Sequence, residues 1–327
     1  MRTPWKPLVG TLFALGAVAA LAPALVFFRR PSPSPPPPPP PPTAPALPRV
    51  KAVGAAVPRP LRGTTPSPSR PHTREVDIVC GLDPGTASRY QRRDAALRTL
   101  AADRDLPAED VLALLEYVCG HDGDLRIERA AALKNDVLNL LRRQRRPPEE
   151  LADVLVGMLE DGGYADVELD YAVQHLGALT DSVRDAVCRA RIRAVLSATA
   201  ARTDRPFAGT ALYALADDRR ADTTPDGRLR LRRLTVALVR KADAHPVARI
   251  AAVLLAGQKG YSEVRPDLRR LVSGPVRDVP LALVAVGTLG LVGTAEDIPL
   301  LQGLSGHLRL AHAVHEAVRR IRERPAP

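Results

Sequence analysis

Three side chains near the carboxyl end of the sequence have the types that bind zinc. His315, Glu316 and Arg319 occupy the places of the first histidine, the glutamate and the second histidine of a zinc-protease helix. Because Arg319 replaces an imidazole, two imidazoles cannot share a zinc ion here. His312, His315 and Glu316 do share one helical face, and we interpret that face as the solvent-exposed side of a terminal helix.

A second group of acids is similar to part of a calcium loop. Asp122, Asp124 and Glu128 lie close together, but the glycine and acid spacing of an EF-hand is absent, and Asp-Gly-Asp is ordinary turn chemistry. The sequence also has no nucleophile elbow, no glycine-rich phosphate loop with lysine and no CxxC pair. We therefore predict no metal, no cofactor and no catalytic residue, although a triad assembled from distant positions stays open.

Two of the three cysteines are candidates for a disulfide. Cys80 and Cys119 hold equivalent places in a Val-Cys-Gly echo with an offset of 39 residues, and they would pair if the protein were exported to an oxidising compartment. Equivalent positions on stacked helices lie about 8 to 10 Å apart, beyond the limit of about 7 Å between bridged Cα atoms. The pair therefore requires an irregular end repeat. We interpret Cys188 as a small core residue.

Uncharged polar side chains on two predicted helices are the best candidates for protein recognition. Asn135 and Asn139 lie in LKNDVLNLL, and Tyr171, Gln174 and His175 lie in DYAVQHL. Their spacing places each set on one side of its helix, beside the apolar stripe that packs in the core. The alternative is that these groups form hydrogen bonds between neighbouring repeats.

The elements that position these residues are predicted to be helices. After Val76, apolar residues recur at intervals of three and four, interrupted by glycine and proline turns. The segments that begin at Pro107 and Pro147 match at an offset of 40 residues, with proline and acids in the predicted first turn. Their shared stripe consists of Val111/Leu151, Leu114/Val154, Leu115/Leu155 and Val118/Met158.

A weaker template recurs further along the chain. It has alanine, apolar residues one and four positions later, and a small residue at the fifth position. Its matches are Ala172-Val173-Leu176-Gly177, Ala211-Leu212-Leu215-Ala216, Ala252-Val253-Ala256-Gly257 and Ala282-Leu283-Val286-Gly287. Such recurrence predicts stacked helix pairs whose small residues let neighbouring helices approach.

On these motifs, residues 76 to 324 resemble the HEAT-repeat family in its bacterial HEAT-like form, most clearly in VARIAAVLLAGQKG and in VRDVPLALVAVGTLGLVGTAEDIPLLQGL. The resemblance implies an all-α solenoid of stacked antiparallel helix pairs. It further implies a concave face that binds another protein.

The segment before the repeats differs in composition. Residues 8–28 contain no charge and have basic residues on both sides, which predicts a transmembrane helix; a signal peptide cleaved near Ala17-Val18-Ala19 is the alternative. Of the 33 prolines, 20 fall in residues 1–75. We predict an anchor or signal segment over 1–30, a proline-rich linker, disordered or polyproline II, over 31–75, and the repeat domain over 76–327.

Net charge also differs between residues 1–75 and the rest of the chain. Residues 1–75 hold 10 Lys+Arg and one acid, so the remainder has 37 basic and 35 acidic residues, a balance of only +2. A near-neutral repeat domain disfavours nucleic acid as a partner.

Together these observations predict a membrane-anchored, non-catalytic HEAT-like scaffold or adaptor. Residues 8–28 would contact the lipid bilayer, and an unidentified protein would be the partner. The body of this single-pass protein would lie outside the cytoplasm, in the periplasm or cell envelope. The alternatives are a lyase-type enzyme, because some HEAT-like relatives are chromophore lyases, and a nucleic-acid-binding solenoid.

Overall fold

The computed structural model describes residues 72–83, 85, 89–161, 163–218, 224–274, 276 and 278–324. Within these ranges the regular structure is helical, and no strand occurs. The α-helices are α1 Thr73–Val79, α2 Tyr90–Leu100, α3 Ala108–Cys119, α4 Ile127–Arg142, α5 Leu151–Asp161, α6 Asp166–Thr180, α7 Ala186–Ala201, α8 Ala208–Asp217, α9 Pro225–Arg240, α10 Pro246–Gln258, α11 Arg265–Ser273, α12 Val279–Val292, α13 Ile298–Gly303 and α14 Ala311–Glu323. Short 3-10 turns, Ser262–Val264 and Ala295–Asp297, precede α11 and α13.

Several helix ends follow from the local sequence. The side chains of Asp185, Thr224 and Asp278 accept hydrogen bonds from the free backbone N–H groups at the starts of α7, α9 and α12. Gly81, just after α1, has a φ of 77°, which a residue with a side chain rarely adopts. The expected first turn at Pro147 is not helical, because α5 begins four residues later, at Leu151.

The helices form two rows. The odd-numbered helices α1 to α9 pack against one another in chain order, and α9 also contacts the 3-10 turn before α11. The even-numbered helices form a second row, in which α2, α4, α6, α8, α10, α12 and α14 each contact the next. Each odd helix packs on the even helix that follows it, so the described chain is a stack of helix hairpins. The predicted all-α array is confirmed in this form.

The apolar stripe predicted from the 40-residue echo lies in the core. Leu114, Leu115, Leu151 and Leu155 are all buried, while Val111 and Val154 pack against the core from its edge. Equivalent positions of the two matching segments therefore face the core from the consecutive odd helices α3 and α5, as the 40-residue offset predicts.

Small residues set the spacing of the second row from α6 onward. A Cβ atom on Gly177 would lie 2.7 Å from the Cβ of Ala214, and one on Gly209 would lie 2.5 Å from the Cβ of Ala251. On Gly290 it would lie 2.8 Å from the Cα of Ala317. Atoms cannot approach so closely, so these helices pack at a distance that only glycine permits.

The fourth match to the small-residue template is out of register. Leu283, which the template buries, is 41% exposed, and a Cβ on Gly287 would meet no atom within 4 Å. The buried set in α12 is instead Ala285, Val286, Leu289 and Gly290. This set lies three residues later than predicted and 33 residues after its counterpart Ala252-Val253-Ala256-Gly257.

Hairpin ends near the amino-terminal side carry buried charges. Arg93 in α2 is 1% exposed, its Nη2 lies 2.6 Å from Asp122 Oδ2, and its Nε donates to the carbonyl of Val79. Asp122 also accepts from the Tyr117 hydroxyl and from two backbone N–H groups. One ion pair thus ties together α1, α2, α3 and the turn after α3.

A second buried charge joins the next two hairpins. Lys134 Nζ in α4 donates to Glu168 Oε1 of α6 at 2.7 Å and to the carbonyl of Gly120 at 2.6 Å. Tyr164 lies under the Lys134 ammonium, and its hydroxyl donates to the carbonyl of Cys119. The turns after α3 and α5 are therefore held against each other.

The predicted transmembrane helix requires a correction. Within the described residues no helix combines the length and apolarity that a membrane crossing requires; the longest, α4, α7 and α9, have 16 residues and carry charges, whereas a bilayer needs about 20 apolar residues. Over the described residues the fold class is therefore corrected to an all-α array of hairpins with no membrane-spanning helix, and the predicted localisation as a single-pass membrane protein is wrong by the same finding. The segment 8–28 itself lies outside the described residues.

Candidate protein-binding surface

The even-numbered helices keep one solvent-accessible side, because the odd row covers only their opposite side. We call this side, from α4 to α12, the open face. It is formed by Asn135, Asp136 and Asn139 of α4, Asp170, Tyr171 and Gln174 of α6, Thr210, Tyr213 and Asp217 of α8, Ile250, Leu254 and Gln258 of α10, and Leu283, Val284, Gly287 and Leu291 of α12. Within each helix these residues are either adjacent or separated by three, four, seven or eight positions, which places them on one side.

Two of the predicted recognition residues bind each other. His175 Nε2 of α6 lies 3.0 Å from Asn135 Oδ1 of α4, so the pair links neighbouring even helices across 40 residues of sequence. His175 is 5% exposed. Burial, together with the nearby positive charge of Arg142, lowers the pKa of His175 from 6.5 to about 4. The imidazole is therefore neutral at physiological pH.

The other predicted residues lie around this pair but do not join it. Asn139 Oδ1 accepts from Arg142 at 3.4 Å on its own helix, and Tyr171 is half-buried. Gln174 donates to Asp170, four residues and about one turn away on α6. The structure thus places all five predicted residues on two adjacent even helices, and all except the buried His175 remain at least partly accessible.

A second link between even helices was not predicted. The Thr210 hydroxyl of α8 donates to Asp170 Oδ1 of α6 at 2.5 Å. Burial raises the pKa of Asp170, and the hydrogen bonds from Thr210 and Gln174 oppose that rise. The sequence signal was available, since Asp170 and Thr210 are 40 residues apart, the same separation as Asn135 and His175.

Toward the carboxyl end the open face becomes apolar. Tyr213 is half-buried and receives a hydrogen bond from Gln258 of α10 at its hydroxyl. Leu254 is half-buried, and Leu283 and Leu291 are each 41% exposed. Gly287 leaves a gap between the last two, because a Cβ there would touch nothing. This part of the face therefore offers apolar contact area, together with the exposed polar side chains of Asp217 and Gln258.

The metal-like motifs are occupied by the protein's own groups. Glu316 accepts hydrogen bonds from Arg319 and Arg320, and these arginines lower its pKa to about 2. Asp122 is the partner of Arg93. Among the residues that the structure describes, no group of three or more His, Cys, Asp or Glu side chains is placed to hold a metal ion.

The predicted disulfide is absent from the structure. Cys80 and Cys119 are both free thiols, and Cys80 Sγ points to the carbonyl of Ala113. Ala113 precedes Cys119 by six residues on α3, which is about 9 Å along the helix axis. Burial raises the pKa of Cys80 to about 12, so its thiol stays protonated. Cys188 is also free and packs at the edge of the core.

Comparisons with known proteins add little to this geometry. No family model matches the chain, and no curated protein matches it. A solved structure of human deoxyhypusine hydroxylase in complex with glycerol is 15% identical, with 77% of this chain and 98% of that chain covered and a TM-score of 0.32. A likeness this distant carries no argument about activity. The all-helical stack of hairpins agrees with the general architecture that the HEAT-like resemblance predicts, but membership of that family is not shown.

Proposed function

We propose that this chain is a HEAT-type scaffold or adaptor that binds another protein along the open face, without catalysis. The observation that supports this most is the row of Tyr213, Leu254, Leu283 and Leu291, which runs over three successive even helices and stays accessible. Large apolar side chains aligned over adjacent repeats are typical of an interaction surface. Aromatic residues such as Tyr213 are enriched in protein interfaces.

The enzyme alternative would need a pocket with ionisable groups converging around His175. His175 is instead buried, and its Nε2 is used by Asn135. A general base needs access to a substrate proton, so this histidine is poorly placed for that role.

The nucleic-acid alternative would need a basic groove. The open face carries the carboxylates of Asp136, Asp170 and Asp217 instead. Several arginines elsewhere are paired with acids, as Arg193 is with Asp218 and Arg265 with Asp297. Phosphate contacts along the open face would therefore meet repulsion.

The proposal is tested by affinity capture with the full chain and two matched double variants. Tyr213→Asp with Leu254→Asp places charges on the open face, whereas Ala194→Asp with Ala198→Asp places the same charges on exposed positions of the odd helix α7. We expect a protein recovered with the wild type to be lost with the first variant and kept with the second. Circular dichroism confirms that both variants remain helical.

Equal recovery with both variants would contradict the proposal, because the open face would then be dispensable. Recovery of nucleic acid in place of protein, with binding that falls steeply as salt rises, would favour the second alternative.

A further inference from the structure

A cavity of about 360 Å³ lies between α2 and α4, at the amino-terminal end of the open face. Its lining includes Asp94 of α2 and Asp136 and Asn139 of α4. Asp136 and Asn139 belong to the open face, so the cavity continues the surface proposed above.

Some polar groups of the cavity wall are already used. Asp103 accepts from the His72 ring and from the backbone N–H of Asp105. Gln144 accepts from the backbone N–H of Leu106 and donates to the carbonyls of Asp103 and Leu140. These contacts close the loop end of the cavity, and its remaining polar lining consists of Asp94, Asp136 and Asn139 together with three arginines, Arg98, Arg104 and Arg143.

The charges of the cavity are arranged with the acids half-buried and the arginines at the rim. Asp94 and Asp136 are half-buried, whereas Arg98, Arg104 and Arg143 are exposed. Arg98 pairs with Asp94 at 2.8 Å from a side chain that is 74% exposed, so that pair is weak. Burial, and next the charge of Asp94, raise the pKa of Asp136, while the charge of Arg143 and a hydrogen bond with Asn139 oppose the rise. Among the described residues, no arginine or lysine lies within ion-pair distance of the Asp136 carboxylate.

We propose that this cavity is the anchor site for an arginine side chain of the protein partner, with the guanidinium between the carboxylates of Asp94 and Asp136. A guanidinium suits the site because its planar fork can donate to two carboxylates at once. The amide of Asn139, which already contacts Asp136, stands beside the same position. The exposed arginines at the rim favour acidic neighbours on either side of the partner's arginine. This inference rests on the proposed function, because it names the chemistry of the partner.

The test uses the full chain and a small probe, N-acetyl-arginine methylamide, followed by NMR of the Asn139 side-chain amide. The neutral control probe is N-acetyl-citrulline methylamide, which has nearly the same shape without the charge. We expect saturable shifts with arginine and none with citrulline. Asp136→Asn and, separately, Asp94→Asn should weaken binding at least tenfold, whereas Asp243→Asn, the same change on a remote exposed loop, should leave it unchanged.

Equal binding of citrulline, no binding of either probe, or unchanged binding by Asp136→Asn would overturn the assignment. This test and the capture experiment can fail independently. If the arginine probe binds but no protein is captured, the scaffold proposal alone is refuted. If Asp136→Asn abolishes probe binding but still captures the protein, the arginine site alone is refuted.

Discussion

The two ends of the hairpin stack join their even-numbered helices by different chemistry, although the carboxyl-terminal hairpins also contain a buried carboxylate, Asp297, paired with Arg265 and Arg269. In α1 to α6, buried charges connect the hairpins, with Arg93 bound to Asp122 and Lys134 bound to Glu168. From α8 to α14 the even helices instead approach through glycine and alanine, as at Gly209 and Gly290. The same two-row architecture thus tolerates either a directional polar contact or close backbone packing between repeats.

The difference extends to the open face. Its amino-terminal part presents Asp136, Asn139 and Gln174, and its carboxyl-terminal part presents Leu254, Leu283 and Leu291. A partner that covers the whole face therefore needs a polar, basic portion and an apolar portion. The variants below separate the two kinds of packing.

Arg93→Met should have the largest effect, since it leaves Asp122 buried without its partner. Breaking a buried ion pair from one side lowers the free energy of unfolding by about 3 to 5 kcal/mol. Urea unfolding followed by circular dichroism measures the change. Replacing both partners, with Asp122→Leu added, should recover part of the loss; no recovery would show that Arg93 acts through packing or backbone contacts alone.

His175→Gln should change how stability depends on pH. The folded state holds the pKa of His175 near 4 against an ordinary value of 6.5, so the unfolded state binds more protons between these values. Stability from this group is complete above pH 6.5 and is lost as the pH falls toward 4, by roughly 3 kcal/mol at most. In unfolding curves recorded at pH 7, 6, 5 and 4, the free energy of unfolding of the variant should therefore fall less steeply with decreasing pH than that of the wild type. Parallel slopes in both proteins would mean that His175 titrates normally.

Gly290→Ala should destabilise the carboxyl-terminal region. The added Cβ would lie 2.8 Å from the Cα of Ala317, so α12 and α14 must separate. Overpacking of this kind lowers the free energy of unfolding by about 1 to 3 kcal/mol. Thermal unfolding measures it, and an unchanged midpoint would contradict the close approach of these helices.

Gly287→Ala is the matched variant, three residues earlier on the same helix. Its Cβ would meet nothing within 4 Å, and alanine favours a helix over glycine by about 0.5 to 1 kcal/mol. We expect a small stabilisation in the same thermal assay. A loss of stability as large as that of Gly290→Ala would instead support the register predicted by the sequence template, with Gly287 at the helix contact.

Arg191→Gln should have the smallest effect. Arg191 pairs with Asp153 between α5 and α7, but both side chains are more than half exposed. Exposed pairs contribute about 0 to 1 kcal/mol, and salt screens them. The expected change in urea unfolding is therefore close to the error of the measurement, in contrast with Arg93→Met.

Much of the architecture was readable from the sequence because helices and turns depend on local patterns. The 40-residue echo identified equivalent buried stripes in α3 and α5, and the small-residue template identified α6, α8 and α10. The template failed in α12 because alanine, leucine, valine and glycine alternate there so densely that two registers fit. Only the partner helix distinguishes Gly287 from Gly290, and the partner is not visible in a local pattern.

The site was less predictable because it depends on contacts between distant residues. Asn135 and His175 were both singled out, yet their hydrogen bond across 40 residues needs the spacing of the two even helices. Arg93 looked like any arginine of an amphipathic helix, since nothing local indicates its 1% exposure. Tyr213 and Leu254 were missed because the sequence pattern does not distinguish a half-buried apolar residue at the edge of the apolar stripe from a core residue.

The central claim, that the open face binds a protein, is tested most directly by site-specific photo-crosslinking in the native host cell. A photoreactive amino acid at Tyr213 on the open face is compared with one at Ala194 on the exposed side of α7. The account predicts a protein adduct from position 213 that position 194 does not give. Adducts from position 194 alone, or no protein adduct from position 213, would contradict it.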